Sequence, residues 1–216
     1  MAAVASSQTA MAAIIGNSTA LNTVVSSSTA MAAIFRSSTA LQVVQNNASA
    51  WAIFSNASSA VMSKTVAELA GLNPSGYADM NAIAASQTAM AAVINSAAAR
   101  TALTKSSTAR AALKTSPLAV EVSLVSSQSQ YWNNPGTKTM RGLLLYTKAG
   151  NTDNAFTITK IDNTTLATSS STRNAAVSGS TAYKDWLEAF PDNSWVLSSI
   201  TFYAYYTSTR IKYIPC

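Results

Sequence analysis

The chain has 216 residues, of which 48% are hydrophobic and only 10% are charged, and its formal net charge is +6 at pH 7. It contains no histidine and a single cysteine, which excludes serine–histidine and cysteine–histidine catalysis, histidine metal sites and a disulfide within one chain. Its eight acidic residues show no spacing that suggests a catalytic pair of carboxylates.

The first 116 residues repeat a ten-residue unit, as in TAMAAIIGNS from Thr9, TALNTVVSSS from Thr19 and TAMAAIFRSS from Thr29. Each decad has Thr or Ser first, Ala second, large apolar residues third and sixth, and small polar residues at its end. Apolar residues three positions apart lie on one face of a helix, and the Ala content favours helix over strand. A Ser or Thr just before the apolar run suits a helix N-cap. Each decad is therefore predicted to form about two helical turns.

The decad could build either a rod or a folded stack. An ideal helix turns about 100° per residue, so ten residues end about 80° short of three full turns, and an ordinary coiled coil is disfavoured. Two arrangements remain: helices interrupted or overwound at each polar segment within a bundle of identical chains, or short helices folded on one another as a solenoid. We favour the bundle, because residues 1–63 contain one charged side chain, Arg36, and an isolated helix of this kind buries too little apolar surface.

The repeat changes twice along its length. At about residues 62–77 it is interrupted, and Pro74 and Gly76 predict the end of a helix and a turn there. In the last two decads the third position becomes Arg100 and Arg110. These arginines indicate a solvated end of the stalk, or alternatively a basic ring for an acidic partner.

From Leu118 onwards the composition is that of β-strands. The candidate strands are rich in β-branched and aromatic residues, and they are Ala119–Ser126, Thr139–Lys148, Asn154–Ile161, Ser194–Tyr206 and Thr209–Ile214. The segment YKDWLEAF, from Tyr183, is predicted to be a short helix or a capped loop. About 100 residues of this kind suit one all-β sandwich or jelly-roll-like domain.

The predicted fold class is therefore α+β by segregation. Residues 1–116 form a short-helix, decad-repeat stalk that assembles as an oligomeric bundle, and residues 117–216 form a β-sandwich tip domain.

The decads, as in SSSTAMAAIFRSSTALQVV from Ser26, resemble the Ala/Ser/Thr-rich repeats of tail-fibre and other virion-fibre proteins of bacteriophages. The resemblance covers roughly residues 5–116. It implies a homotrimeric fibre in the virion, assembled in the host cytoplasm, with one end held by other virion proteins and a β-domain at the free end. It also implies that the protein recognises a host-surface glycan or protein, or decorates the particle.

Sugar binding commonly uses an exposed aromatic side chain with polar neighbours. On that basis the candidate ligand-binding residues are Tyr131, Trp132 and Asn133 in the loop YWNNPG, together with Trp186. Packing in a β-domain core is the alternative explanation for each of them. We expect no catalytic residues and no metal ligands, since the chain has no histidine and no spacing that suggests a pair of carboxylates. We expect no cofactors, and the chain has no glycine-rich phosphate loop. It also lacks a stripe of basic residues, so nucleic acid is not an expected partner.

The leading hypothesis is a non-enzymatic virion fibre or spike. The alternatives are a capsid or tail decoration protein that docks through its β-domain, and a bacterial surface filament or adhesin. An enzyme hypothesis survives only as a carbohydrate hydrolase, in which folding would pair Asp185 with Glu188 or Asp192.

Two smaller expectations concern the membrane and the thiol. Membrane insertion is not expected, because polar residues interrupt every apolar stretch well before the ~20 residues that a bilayer requires. The thiol of Cys216 is expected to be inert, or alternatively to form a bond between neighbouring chains.

Overall fold

The computed structural model describes residues 1–124, 136–149, 155–159, 165–168, 182–185, 195–196, 199–203 and 209–216. The chain divides into two compact units, Met1–Pro117 and Leu118–Cys216. The described elements of the first unit are helices, and those of the second are strands. The predicted segregation into a helical part followed by a β part is therefore confirmed.

The helical unit is described throughout, and its helices are short, most of them eight or nine residues long. They are α1 (Ala2–Ala5), α2 (Gln8–Ile15), α3 (Ser18–Val25), α4 (Ser28–Arg36), α5 (Ser38–Gln45), α6 (Ala48–Ser55), α7 (Ser59–Leu69), α8 (Met80–Ala84), α9 (Gln87–Ile94), α10 (Ala97–Lys105) and α11 (Ser107–Lys114). A single 3-10 turn, Pro74–Gly76, lies between α7 and α8. Each full decad thus supplies about two helical turns, as predicted.

The helices are short because the ninth residue of each regular decad stops one helix and starts the next. Ser27, for example, is extended (φ −111°, ψ 113°), and its hydroxyl accepts a hydrogen bond from the Ala30 N–H at 3.3 Å. An extended residue cannot continue a helix, whereas its side chain satisfies an N–H that has no partner within the helix. The N-cap is therefore the Ser or Asn at the ninth decad position. It lies two residues before the Thr or Ser that begins the next decad, which was the residue predicted to be the cap.

Most helices pack on their neighbours along the chain, and several also pack on the helix three further on. The pairs of the second kind are α1 with α4, α2 with α5, α3 with α6, α4 with α7, α7 with α10 and α8 with α11. The unit is consequently a stack of turns, each made of about three helices. Large residues at the third and sixth decad positions supply much of its core, including Met11, Met31, Ile34, Phe54, Met80, Ile83, Met90, Leu103 and Leu113.

The structure therefore adopts the folded stack and not the bundle of identical chains that we favoured. Met31 and Ile34 of α4 are fully buried within one chain, so the apolar face needs no partner chain to cover it. The break in the helices lies within the predicted interruption, and the 3-10 turn Pro74–Gly76 lies where the sequence predicts a turn. Helix α7 continues through Leu69, and the break follows at Gly71, whose φ of 73° suits glycine and ends the helix.

The described strands of the second unit form two antiparallel sheets. They are β1 (Val120–Leu124), β2 (Gly136–Thr139), β3 (Gly142–Ala149), β4 (Ala155–Thr159), β5 (Thr165–Thr168), β6 (Ala182–Asp185), β7 (Trp195–Val196), β8 (Ser199–Tyr203) and β9 (Thr209–Pro215). One sheet has the order β1-β9-β3-β6, with β7 also paired to β3, and the other has the order β2-β8-β4-β5.

Strands β3 and β9 supply most of the described core of this unit. Leu143 and Leu144 are fully buried, and Trp195 in β7 is 4% exposed. Gly142 has a φ of 155°, and a Cβ there would lie 2.1 Å from the Ile214 carbonyl oxygen of β9. Glycine is thus what allows these two strands to approach so closely.

Three strand predictions need correction. The segment Ser194–Tyr206 contains two strands, β7 and β8, not one. Residues 183–185, predicted as helix or loop, lie in β6, which pairs with β3 from Tyr146↔Asp185 onwards. Strands β2 and β5 were not predicted, because their sequences, GTKT and TLAT, contain few large apolar residues.

Candidate functional site

The predicted ligand-binding residues Tyr131, Trp132, Asn133 and Trp186 lie outside the described residues. They remain predictions from the sequence. Of the carboxylates considered for hydrolysis, Asp185 lies in β6, whereas residues 188 and 192 also lie outside the described ranges.

Arg100 and Arg110 are used within the helical unit. The Arg100 guanidinium donates to the carbonyl oxygen of Ile94, the last residue of α9. Arg110 Nη1 donates to the Thr104 carbonyl oxygen in the last turn of α10 at 2.9 Å. Both residues are half-buried. Each arginine thus satisfies a carbonyl at the end of the preceding helix, where a positive charge is favourable. Each arginine is therefore bonded within the helical unit, which corrects the interpretation as a freely solvated stalk end; the basic ring for an acidic partner stays a prediction.

The third arginine of this unit joins two turns of the stack. Arg36 Nη1 lies 3.0 Å from Glu68 Oε1, with 50% and 25% of the two side chains exposed. Arg36 Nη2 also donates to the Glu68 carbonyl oxygen at 3.3 Å. The ion pair and the hydrogen bond therefore connect the end of α4 to the end of α7.

Three cap serines connect turns of the stack in a way that the sequence did not reveal. The hydroxyl of Ser37 accepts from the Ala40 N–H and donates to the Ala5 carbonyl oxygen, the last of α1, at 2.6 Å. Ser96 donates in the same way to the end of α7, and Ser106 to the end of α6. A serine can do both because its hydroxyl is a donor and an acceptor.

The surface of α1–α3, which we call the open turn (residues 2–25), has no charged side chain. Thr19, Asn22, Thr23 and Ser26 line a shallow, wide depression on and just after α3. The hydroxyls of Thr23 and Ser26 are engaged there, since they donate to helix carbonyl oxygens at 3.0 and 2.8 Å. The depression thus offers a ligand few unengaged polar groups, and the open turn is more suited to contact with another protein surface.

The Cys216 thiol has a raised pKa. Burial raises its pKa from 9.0 to about 12, although the Leu143 N–H and the positive charge of Arg141 act in the opposite direction. Thiolate is the reactive form of cysteine, so a thiol that stays protonated at neutral pH is a poor nucleophile. This supports the expectation of an inert thiol.

Among the described residues, no group of three or more cysteines and carboxylates could hold a metal ion. No helix in the described part of the chain is long and apolar enough to cross a membrane.

Comparison with known proteins gave no relative: no family model matches the chain, and no curated protein is significantly similar to it.

Proposed function

We propose that this chain is a structural, non-enzymatic protein of a bacteriophage virion. In this proposal the helical unit attaches the protein to its assembly, and the β unit, folded as a sandwich, recognises a glycan or protein on the host surface. Other virion proteins are its assembly partners. The homotrimer that the resemblance implies remains a prediction for a mass measurement to test.

The observation that carries the proposal is the uncharged surface of the first helices. Residues 1–35 contain no Lys, Arg, Asp or Glu, yet Ile14, Ile15 and Val25 are each only partly buried. A surface with no charges to desolvate is suited to burial against another protein, since charged residues are depleted at the centre of such interfaces. This agrees with an N-terminal attachment role, and the resemblance to virion-fibre repeats supplies the setting.

A capsid or tail decoration protein is the second candidate, and the folding of the helical unit favours it. A rod of 116 residues in one helix would extend roughly 170 Å at about 1.5 Å per residue, whereas α1–α11 turn back on one another within the chain. A compact helical unit is less suited to a long fibre than to a module that seats on the particle.

Two measurements test the proposal. Antibodies against the chain should label particles of the phage that encodes it, and absence of the chain from purified particles would overturn the virion role. Labelling confined to the tail tip favours attachment, and labelling spread over the capsid favours decoration.

Host recognition is tested separately with the purified chain and envelopes of susceptible cells. Trp132→Ala is expected to weaken envelope binding at least tenfold if the YWNNPG loop is the ligand site. Ile53→Ala, at a residue of α6 that is 38% exposed, is the control and should bind as the wild type does. If Trp132→Ala bound envelopes as well as Ile53→Ala does, Trp132 would be removed from the proposed ligand site. New reducing ends from host polysaccharide would show hydrolysis instead.

A further inference from the structure

The open turn (α1–α3) is joined to the rest of the stack by one side-chain hydrogen bond. The Ser37 hydroxyl, at the start of α5, donates to the Ala5 carbonyl oxygen of α1 at 2.6 Å. Within the helical unit, which is described throughout, no other side-chain hydrogen bond and no ion pair connects residues 1–26 to the later helices. The remaining contacts of the open turn with α4–α6 are therefore packing contacts.

The next boundary, between α4–α6 and the later helices, has several polar connections. The Arg36 guanidinium pairs with the Glu68 carboxylate at 3.0 Å, and the Thr65 hydroxyl of α7 donates to the Ser28 carbonyl oxygen of α4 at 3.3 Å. Hydroxyls at the start of α11 donate to carbonyl oxygens at and just after the end of α6, namely Ser106 and Ser107 to Ser55, and Thr108 to Ala57. Separating α4–α6 from the later helices thus breaks many more polar contacts than separating the open turn does.

The open turn also buries few side chains. Its buried residues are Ala5, Met11, Leu21 and Val24. Helix α4 alone, which packs on α1 and on α7, buries Ala30, Met31, Ala32, Ile34 and Phe35. A segment with few buried contacts unfolds locally at a lower free energy than the rest of its domain.

The opposite end of the stack is more firmly held. Ser96, which caps α10, donates to the Leu69 carbonyl oxygen at the end of α7. Ser116, just after α11, donates to the Ala84 carbonyl oxygen at the end of α8. The weak connection of the open turn is thus a property of the N-terminal end and not of both ends.

We propose that the open turn detaches from the stack and unfolds as one unit while α4–α11 stay folded. A helix of about eight residues is unstable in water by itself, so α2 and α3 lose their helical structure when they lose contact with α5 and α6. They unfold together because they also pack on each other. The proposal does not rest on the virion role, and a partner that binds only the folded open turn would hold it on the stack.

Hydrogen exchange of the full chain, followed by mass spectrometry of peptic fragments, tests the proposal. The equilibrium constant for opening should agree within threefold between the amides of α2 and those of α3. It should be at least tenfold greater than the constant for α7 and α10. A ratio below tenfold, or constants for α2 and α3 that differ by more than threefold, would overturn the proposal.

The variant Ser37→Ala removes the hydrogen bond to the Ala5 carbonyl oxygen. It should raise the opening constant of α2 and α3 at least threefold and leave that of α7 unchanged. The cap of α5 is lost as well, but α5 is folded whether or not the open turn is attached, so that loss does not enter the constant. Ser27→Ala is the matched control: Ser27 has the same decad position and is also half-buried, but its hydroxyl accepts from the Ala30 N–H within α4.

Ser27→Ala should therefore raise the opening constant of α2 and α3 less than threefold. Equal effects of the two variants, or a smaller effect of Ser37→Ala, would contradict the proposed connection. Far-UV circular dichroism shows whether both variants are folded. If Ser37→Ala is not, the comparison of α2 and α3 with α7 and α10 in the wild type decides the proposal without it.

Discussion

Replacing Ser96 with alanine removes two hydrogen bonds made by one hydroxyl. The hydroxyl accepts from the Ala99 N–H at 3.2 Å and so caps α10. It also donates to the Leu69 carbonyl oxygen at 2.7 Å and so joins α10 to the end of α7. Ser86, ten residues earlier, caps α9 from the Ala89 N–H at 3.1 Å and is half-buried as Ser96 is, but it makes no bond to another turn within the described residues.

The two alanine variants should therefore differ by the bond between turns. Loss of an N-cap costs about 1 kcal/mol, which is the expected effect of Ser86→Ala. Ser96→Ala loses the cap and also leaves the Leu69 carbonyl oxygen without its donor, which adds about 1 kcal/mol. The total for Ser96→Ala is about 2 kcal/mol, and the two melting temperatures should differ by roughly 4 °C.

Urea unfolding of the full chain, followed by far-UV circular dichroism, measures both free energies. Ser96→Thr keeps a hydroxyl and should recover most of the loss, which separates hydrogen bonding from packing. Equal destabilisation by Ser96→Ala and Ser86→Ala would refute the reasoning, since the bond between turns would then contribute nothing.

Three further predictions concern other contacts. Gly142→Ala should destabilise the second unit by at least about 2 kcal/mol, measured by urea unfolding and tryptophan fluorescence, because a Cβ would lie 2.1 Å from the Ile214 carbonyl oxygen. Folding raises the pKa of the Cys216 thiol from 9.0 to about 12. At pH 8 the thiol of the folded chain should therefore be alkylated about a thousandfold more slowly than that of the chain unfolded in urea. The free energy of unfolding should also fall as the pH rises from 9.0 towards 12, because only the unfolded chain loses its thiol proton in that range. Arg36→Met should cost less than about 1 kcal/mol, and less again in high salt, because its pair with Glu68 is partly exposed, with half of the Arg36 side chain in solvent; melting at two salt concentrations measures this.

The local structure of the helical unit could be predicted from sequence, but its packing could not. The three-residue spacing of Met31 and Ile34 fixes one apolar face of one short helix, and both residues are buried as that spacing indicates. The same spacing is satisfied whether the face meets another chain or another turn of its own chain. The choice depends on contacts between residues about thirty positions apart, such as Ser37 with Ala5, which a repeated sequence does not identify.

The arginines and the missed strands show two other limits. The repeat pattern predicts that Arg110 is a solvated charge. Its long side chain instead donates a hydrogen bond to the Thr104 carbonyl oxygen, six residues earlier. Strand β5 (Thr165–Thr168) is too short and polar to be recognised from its own residues, and it is a strand because it pairs with β4. The candidate ligand residues Tyr131, Trp132 and Asn133 are still argued from sequence alone.

The packing of each helix on the one three further on has a consequence for how such a chain can evolve. Duplication or loss of a single decad shifts every later helix to a new partner in the adjacent turn, whereas a change of three decads restores the original partners. The alanine at the second position of most decads keeps the contact surface similar for any partner, but Ser37, Ser96 and Ser106 each match one particular helix end. Related chains are therefore expected to differ in length by whole decads, most often by three.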